Sequence, residues 1–236
     1  MNIALIGYGR MGQLIEQIAL EKGHTISVII NSSNKIENQD FSNTDVAIDF
    51  STPNSAYYNI QFILNLGIPM VSGTTAWLEN LENAKQLAKE KATGFLYASN
   101  FSIGVNLFFE LNKKLCLLMQ NQPEYKASIK EIHHTEKLDM PSGTALSLQS
   151  QIANTINIES ERTENFPGTH IVKYDSEIDS ISITHQAHNR IGFAQGALIA
   201  AEWLIVFGEL QDLHSLKRSS ARSQCPPFSQ ELMAAL

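Results

Sequence analysis

The chain has 236 residues, room for one large domain or two small ones. Apolar residues make up 43% and charged residues 17%, which excludes a disordered or fibrous protein. Seventeen basic against 24 acidic residues leave a net charge of −7 with no dense basic run, so the chain is not a binder of nucleic acid.

The start, Met1-Asn2-Ile3-Ala4-Leu5-Ile6-Gly7, lacks the basic flank and apolar length of a leader peptide, so no cleavage is expected. No window holds the run of about eighteen apolar residues that a membrane helix needs. The two cysteines, Cys116 and Cys225, are too few and too distant for a disulfide framework, which fits a reducing, cytoplasmic setting. Apolar runs at 3–6, 26–30, 46–50, 69–72 and 94–98 read as buried strands, and residues 11–22, 55–66 and 78–91 between them carry apolar side chains at helical spacing. That alternation predicts an α/β unit with a Rossmann-like, doubly wound parallel sheet. After Asn100 the pattern changes: a helix over 105–120, a strand over 126–133, a Pro-Ser-Gly-Thr turn, a helix over 145–157, a strand over 180–187 and a last helix over 196–204. This half reads as a smaller α+β domain. Residues 219–227 lack periodicity and are expected to be loose and dispensable.

Gly7-Tyr8-Gly9-Arg10-Met11-Gly12 follows a strand and opens a helix, the context in which G-x-G-x-x-G marks a dinucleotide site. Gly7 permits the tight turn, Gly9 a close pyrophosphate and Gly12 close helix packing, while the helix start offers N–H groups. After the second strand comes Asn31-Ser32-Ser33-Asn34-Lys35, with no acid where an NAD-specific site places one. Asn31 can bond a ribose hydroxyl, and Ser32, Ser33 and Lys35 can meet a 2′-phosphate, so the loop leans toward NADPH and still admits NADH. Gly73, Thr74 and Thr75 follow the fourth strand, and Ala98, Ser99, Asn100 and Phe101 the fifth, at the carboxyl ends that face a cofactor crevice.

The sharpest constellation is Glu131-Ile132-His133-His134-Thr135-Glu136-Lys137-Leu138-Asp139-Met140-Pro141-Ser142-Gly143-Thr144. A strand delivers two histidines and a lysine suited to proton transfer or anion contact, and the helix start with its two hydroxyls suits a carboxylate. No metal is expected, because the histidines lack a third ligand at suitable spacing.

With these pieces in order the chain resembles the dihydrodipicolinate reductase family: G-Y-G-R-M-G, D-F-S-T-P from Asp49, G-T-T, A-S-N-F-S-I-G-V-N from Ala98, and the family-specific H-H-T-E-K-L-D-M-P-S-G-T-A. The resemblance implies reduction of 4-hydroxy-tetrahydrodipicolinate by NADPH or NADH in the diaminopimelate route to lysine. It implies proton transfer by His133 and Lys137, and carboxylate binding by His134, Gly143 and Thr144 with Ser142 in the same turn. The cofactor would be held by residues 7–12, 73–75 and 98–101. It also implies a homotetramer built through the second domain, with a nucleotide domain of 1–103 and 205–236 around a substrate domain of 104–204. Three departures stand out. The acid after the second strand is missing, Ala76 replaces the usual Gly, and the region from Pro167 to Ser180 is short, as if one hairpin were lost. Beyond Lys217 the resemblance ends. A different amino-acid dehydrogenase or a nucleotide-binding redox sensor would keep the glycine loop, but neither needs the two histidines and lysine beside Pro-Ser-Gly-Thr.

Overall fold

The structure, a computed structural model, describes residues 1–207 except 136, 138, 153–155 and 165. The expectation for 219–227 therefore lies outside the described residues. The described residues form two compact units, one of 1–101 and 193–207, the other of 102–192.

The first unit is a parallel sheet of five strands, β1 (Asn2–Ile6), β2 (Thr25–Ile30), β3 (Val46–Asp49), β4 (Met70–Ser72) and β5 (Phe95–Tyr97), in the order β2-β1-β3-β4-β5. Its helices are α1 (Arg10–Glu21), α2 (Pro53–Asn65) and α3 (Leu81–Glu90). Side chains alternate across a strand, so each strand feeds two cores. Ile3, Leu5, Val46 and Ile48 pack on one face with Ile15 and Ile18 of α1, while Ala4, Ile6, Ala47 and Met70 pack on the other with Ile60, Ile63 and Leu64 of α2. Two-sided burial explains why these strands read as unbroken apolar runs. Thr52 and Ser55 form a capping box at the start of α2, with Pro53 in the first turn where its missing N–H costs nothing.

The last helix, α6, spans Ile191–Phe207 and supplies Ala194, Ala197, Leu198, Ala201 and Leu204 to the same core as α1. Gly196 lets it lie directly on the chain at Phe101, where a Cβ would sit 1.8 Å from the carbonyl oxygen. The chain thus rejoins the first unit at Phe193 and not at 205, which corrects the expected boundary: a helix of small and apolar residues is legible as a helix, but its partner is not.

The second unit has α4 (Ile103–Met119) and α5 (Gly143–Ser150) with β6 (Lys126–His133), β7 (Ile158–Arg162), β8 (Thr169–Asp175) and β9 (Ser180–Gln186), in sheet order β7-β6-β8-β9. Strands β6 and β7 run parallel, and the other pairs are antiparallel. Phe108, Ile129, Ala145, Leu148, Val172 and Tyr174 form its core. Strands β7 and β8 were not foreseen, and the helix expected over 145–157 stops as α5 at Ser150. Ile-Glu-Ser-Glu-Arg in β7 is polar because it is an edge strand, and edge strands carry charge to discourage further pairing. The short stretch after Pro167 holds β8, which with β9 makes a hairpin.

Candidate active site

In the first unit, Gly7 has φ +92°, a conformation that favours glycine, and donates its N–H to the Ile30 carbonyl at 2.9 Å. A side chain there would put a carbon 2.2 Å from the Phe50 carbonyl oxygen, and one at Gly12 would sit 2.3 Å from the Gly7 oxygen. At Gly9 nothing lies within 4 Å of the same position, so the space is open where a pyrophosphate needs it. Gly9 caps α1 without a side-chain hydrogen bond, and no acid lies in the first turn, so the helix presents bare N–H groups to an anion. The loop borders a cavity of about 600 Å³ lined by Gly7, Tyr8, Gly9, Asn31, Lys35 and Glu37 among others. Reduced dinucleotide fits this cradle.

The expected cofactor residues separate by what their side chains do. Tyr8 donates its hydroxyl to Glu16, while Arg10 is exposed at the helix start and Met11 packs against the core. Asn31 folds back on its own loop, its Oδ1 accepting from the Ser33 N–H at 2.8 Å and hydroxyl at 2.6 Å. An acid does lie further along: Glu37, on a short 3-10 turn, lines the same cavity and accepts from Tyr58. That bond holds the Glu37 carboxyl below its usual range. Gly73 must be glycine, since a Cβ would lie 2.3 Å from the Phe50 ring. Thr74 is buried and accepts the Ser51 N–H at 2.8 Å, whereas Thr75 and Ser99 are exposed. Ala76 sits at φ +61°, which explains the glycine usual there. Ala98 is buried, Asn100 half-buried, and Phe101 is a core residue edge-on to Phe50, so its side chain is not a cofactor contact. Beneath these loops Asp49 is fully buried, accepts the Ser72 hydroxyl at 2.8 Å, and has its carboxyl pKa pushed up by burial.

In the second unit, the end of β6 and the start of α5 meet at one buried carboxylate. Glu131 is fully buried and accepts the Ser142 N–H at 3.1 Å and the Ser160 hydroxyl at 2.7 Å. His133 Nδ1 lies 3.4 Å from it, Arg162 3.6 Å and His170 Nε2 3.8 Å. Burial alone would raise the Glu131 pKa, but the bonds from Ser142 and Ser160 outweigh it and hold the carboxylate ionised. Burial pushes the His133 imidazole down to about 4, opposed by Glu131 and aided by Lys137 and Arg162, and pushes His170 down to about 3. Burial therefore favours the neutral form of His133 at neutral pH.

Lys137 lies 2.8 Å from Asp139, and the lysine together with the Gly143 backbone holds the Asp139 carboxyl below its usual range against burial. The chain thus places one of its own carboxylates beside the lysine expected to move a proton. Arg162 steadies this turn by donating to the Asp139 carbonyl at 2.7 Å and the Lys137 carbonyl at 3.4 Å. Ser142 is corrected from ligand to cap: it is buried, its N–H goes to Glu131, and its hydroxyl accepts the Ala145 N–H. Gly143 has open space at its Cβ position and Thr144 lies in the first turn of α5, while His134 is half-buried with Nδ1 unpaired. A third residue that the spacing of the two histidines does not show is His170, which β8 brings to Glu131 and His133 so that one ligand atom of each lies within 4.8 Å. Both Glu131 oxygens already accept hydrogen bonds, so the cluster reads as a charge network. Glu131, Arg162 and His170 were not assigned roles from sequence.

The N-terminal part of dihydrodipicolinate reductase matches residues 1–101 and the C-terminal part residues 104–217. The 4-hydroxy-tetrahydrodipicolinate reductase of Christiangramia forsetii is 49% identical over 222 residues, covering 86% of this chain and 92% of the relative. That of Thermosipho africanus is 35% identical over 207 residues, covering 87% and 92%. Among solved structures, the dipicolinate-bound dihydrodipicolinate reductase from Paenisporosarcina sp. TG-14 superposes with a TM-score of 0.68 at 22% identity, covering 87% of this chain and 95% of that one. No described helix is long and apolar enough to cross a membrane.

Proposed function

The chain belongs to the dihydrodipicolinate reductase family, and on that premise we propose how its own residues carry out the reduction. It is an oxidoreductase that acts on 4-hydroxy-tetrahydrodipicolinate in the diaminopimelate route to lysine. The glycine loop at 7–12, with Asn31, Gly73 and Thr74, holds a reduced nicotinamide dinucleotide, and the bound nicotinamide supplies a hydride. With Lys35 and Glu37 both on the cavity, NADPH is bound at least as well as NADH. The protein works in the cytoplasm as a homotetramer assembled through the second unit's sheet.

Hydride addition to the conjugated, dehydrated ring leaves negative charge that must take up a proton. Lys137 gives that proton, and neutral His133 accepts a hydrogen bond at Nε2 that orders the donor. The Gly143 and Thr144 N–H groups and His134 hold the ring's carboxylates, one of which displaces Asp139. A carboxylate on a helix start is the chemistry of the dicarboxylate dipicolinate, seen bound in the Paenisporosarcina relative. The observation that carries this reading is Asp139, a carboxylate 2.8 Å from Lys137 and held ionised by it. The test is loss of the reduced-nicotinamide absorbance when freshly made substrate is added to enzyme and cofactor. An unchanged absorbance with NADPH and with NADH contradicts it.

A further inference from the structure

The proton-transfer histidine ends β6 and the carboxylate-binding N–H groups open α5, and one side chain faces both. We propose that Glu131 is a positioning residue for the reaction: it fixes the His133 imidazole with Nδ1–H inward and Nε2 toward the reacting ring, and anchors the start of α5. The proposal rests on the reading that His133, Lys137 and the start of α5 form the reducing site.

The geometry assigns each Glu131 oxygen a job. Oε1 takes the Ser160 hydroxyl at 2.7 Å and the Ser142 N–H at 3.1 Å, with Arg162 at 3.6 Å. Oε2 faces His133 Nδ1 at 3.4 Å and His170 Nε2 at 3.8 Å, and shares the Ser142 N–H at 3.2 Å. An ionised carboxylate accepts only, so a neutral imidazole beside it must turn a donor inward. Nδ1 of His133 is buried and makes no hydrogen bond among the described residues; it faces the Glu131 carboxylate 3.4 Å away. The Nδ1–H tautomer leaves Nε2 as an acceptor. Gly168, at φ +137°, lies beside that edge and leaves it free, since a Cβ there would approach Nε2 at 3.3 Å and Cδ2 at 3.1 Å. His170 packs edge-on against His133 with centroids 4.9 Å apart and removes the freedom to tilt. The ring is held by His170 and faced by Glu131, and the Glu131 carboxylate is what sets which nitrogen carries the proton.

Ser142 links this to binding. Its N–H is held by Glu131 while its hydroxyl caps α5, so the carboxylate sets where the free N–H groups of that helix begin. An error at Glu131 therefore reaches proton transfer and substrate binding together.

The test is Glu131→Gln, which keeps the shape. Its amide oxygen takes the Ser160 and Ser142 donors, so its NH2 group faces His133 Nδ1 and forces the other tautomer, with Nε2 protonated. Ring-nitrogen NMR of histidine-labelled protein reads this without any turnover. The wild type is expected to show His133 protonated at Nδ1, and the variant protonated at Nε2. Its kcat is expected to fall at least about tenfold, with a smaller rise in KM and unchanged dinucleotide affinity. A purely structural Glu131 would lower the melting temperature and leave the tautomer alone. Retention of the Nδ1–H form in the variant, or kcat within about twofold of wild type, overturns the proposal. If Glu131→Gln does not fold, the wild-type ring-nitrogen spectrum decides: His133 protonated at Nδ1 supports the proposal, and His133 protonated at Nε2 overturns it. If the wild type fails to reduce the substrate, the functional reading falls while the ring-nitrogen spectrum still decides what Glu131 does to His133.

Discussion

The Asp139 carboxylate lies 2.8 Å from the Lys137 ammonium, and that lysine and the Gly143 backbone favour its ionised form. On the proposed reading a substrate carboxylate takes its place. Binding has to displace it, so Asp139→Asn should remove a competing charge and tighten a dicarboxylate several-fold, about 0.5–1 kcal/mol for a half-exposed ion pair. Titration with dipicolinate measures this, and weaker binding in the variant would show that Asp139 supports the ligand instead.

Cofactor choice turns on the balance between Lys35 and Glu37 at the end of the cavity. Glu37→Gln should raise the preference for NADPH, because a carboxylate near a 2′-phosphate repels it. Asn31→Asp should move preference toward NADH while keeping the turn that Asn31 Oδ1 makes with Ser33. Fluorescence titration of both dinucleotides decides, and a strong NADH preference in the wild type would contradict the assignment.

Ala76 carries a left-handed backbone, φ +61°, in the loop after β4. That conformation costs roughly 1–2 kcal/mol for a residue with a Cβ, partly offset by glycine's larger entropy when unfolded. Ala76→Gly should therefore stabilise by about 0.5–1 kcal/mol, a rise of about 1–4 °C in melting temperature. A lower melting temperature would mean that the alanine methyl is needed for packing.

Buried His133 and His170 make stability depend on pH. Their folded pKa values, about 4 and about 3, lie below the unfolded value near 6.5, so between these limits the unfolded chain binds more protons. Their neutral burial is fully tolerated above pH 6.5 and increasingly penalised as pH falls toward 4 and then 3. Glu131, held below its usual range, adds to the loss at the acid end of the same window. The groups facing His133 are Glu131, Lys137, Arg162 and Asp139. The melting temperature should drop between pH 6.5 and 4, and drop less in His170→Gln. A flat profile would mean that the imidazoles are charged in the folded state.

Much of this was readable in advance, for a physical reason in each case. The five strands and the glycine loop are local: two-sided burial writes an unbroken apolar run, and Gly7 and Gly12 meet obstacles from their own turn and from the next strand's end. His133, Lys137 and Gly143 lie within one short segment, so their convergence needed no knowledge of the fold. Arg162 and His170 were invisible because only the pairing of β7 and β8 with β6 brings them to Glu131, and a polar edge strand has no apolar signature. Ser142 was misread because a hydroxyl at a helix start serves a ligand or the helix equally well in sequence. Phe101 was misread because a loop position at a strand's end does not say whether its side chain turns outward or, as here, into the core.

The central claim is that Lys137 and His133 together move the proton that completes hydride addition. Steady-state turnover of Lys137→Ala, His133→Ala and His134→Ala with freshly made substrate, alongside dinucleotide affinity for each, tests it most directly. Losing a positioned proton-transfer group should cost at least about a hundredfold in kcat for the first two, with the dinucleotide bound as in wild type, whereas His134→Ala should mainly raise KM. Near-normal kcat in the Lys137 and His133 variants would contradict the account.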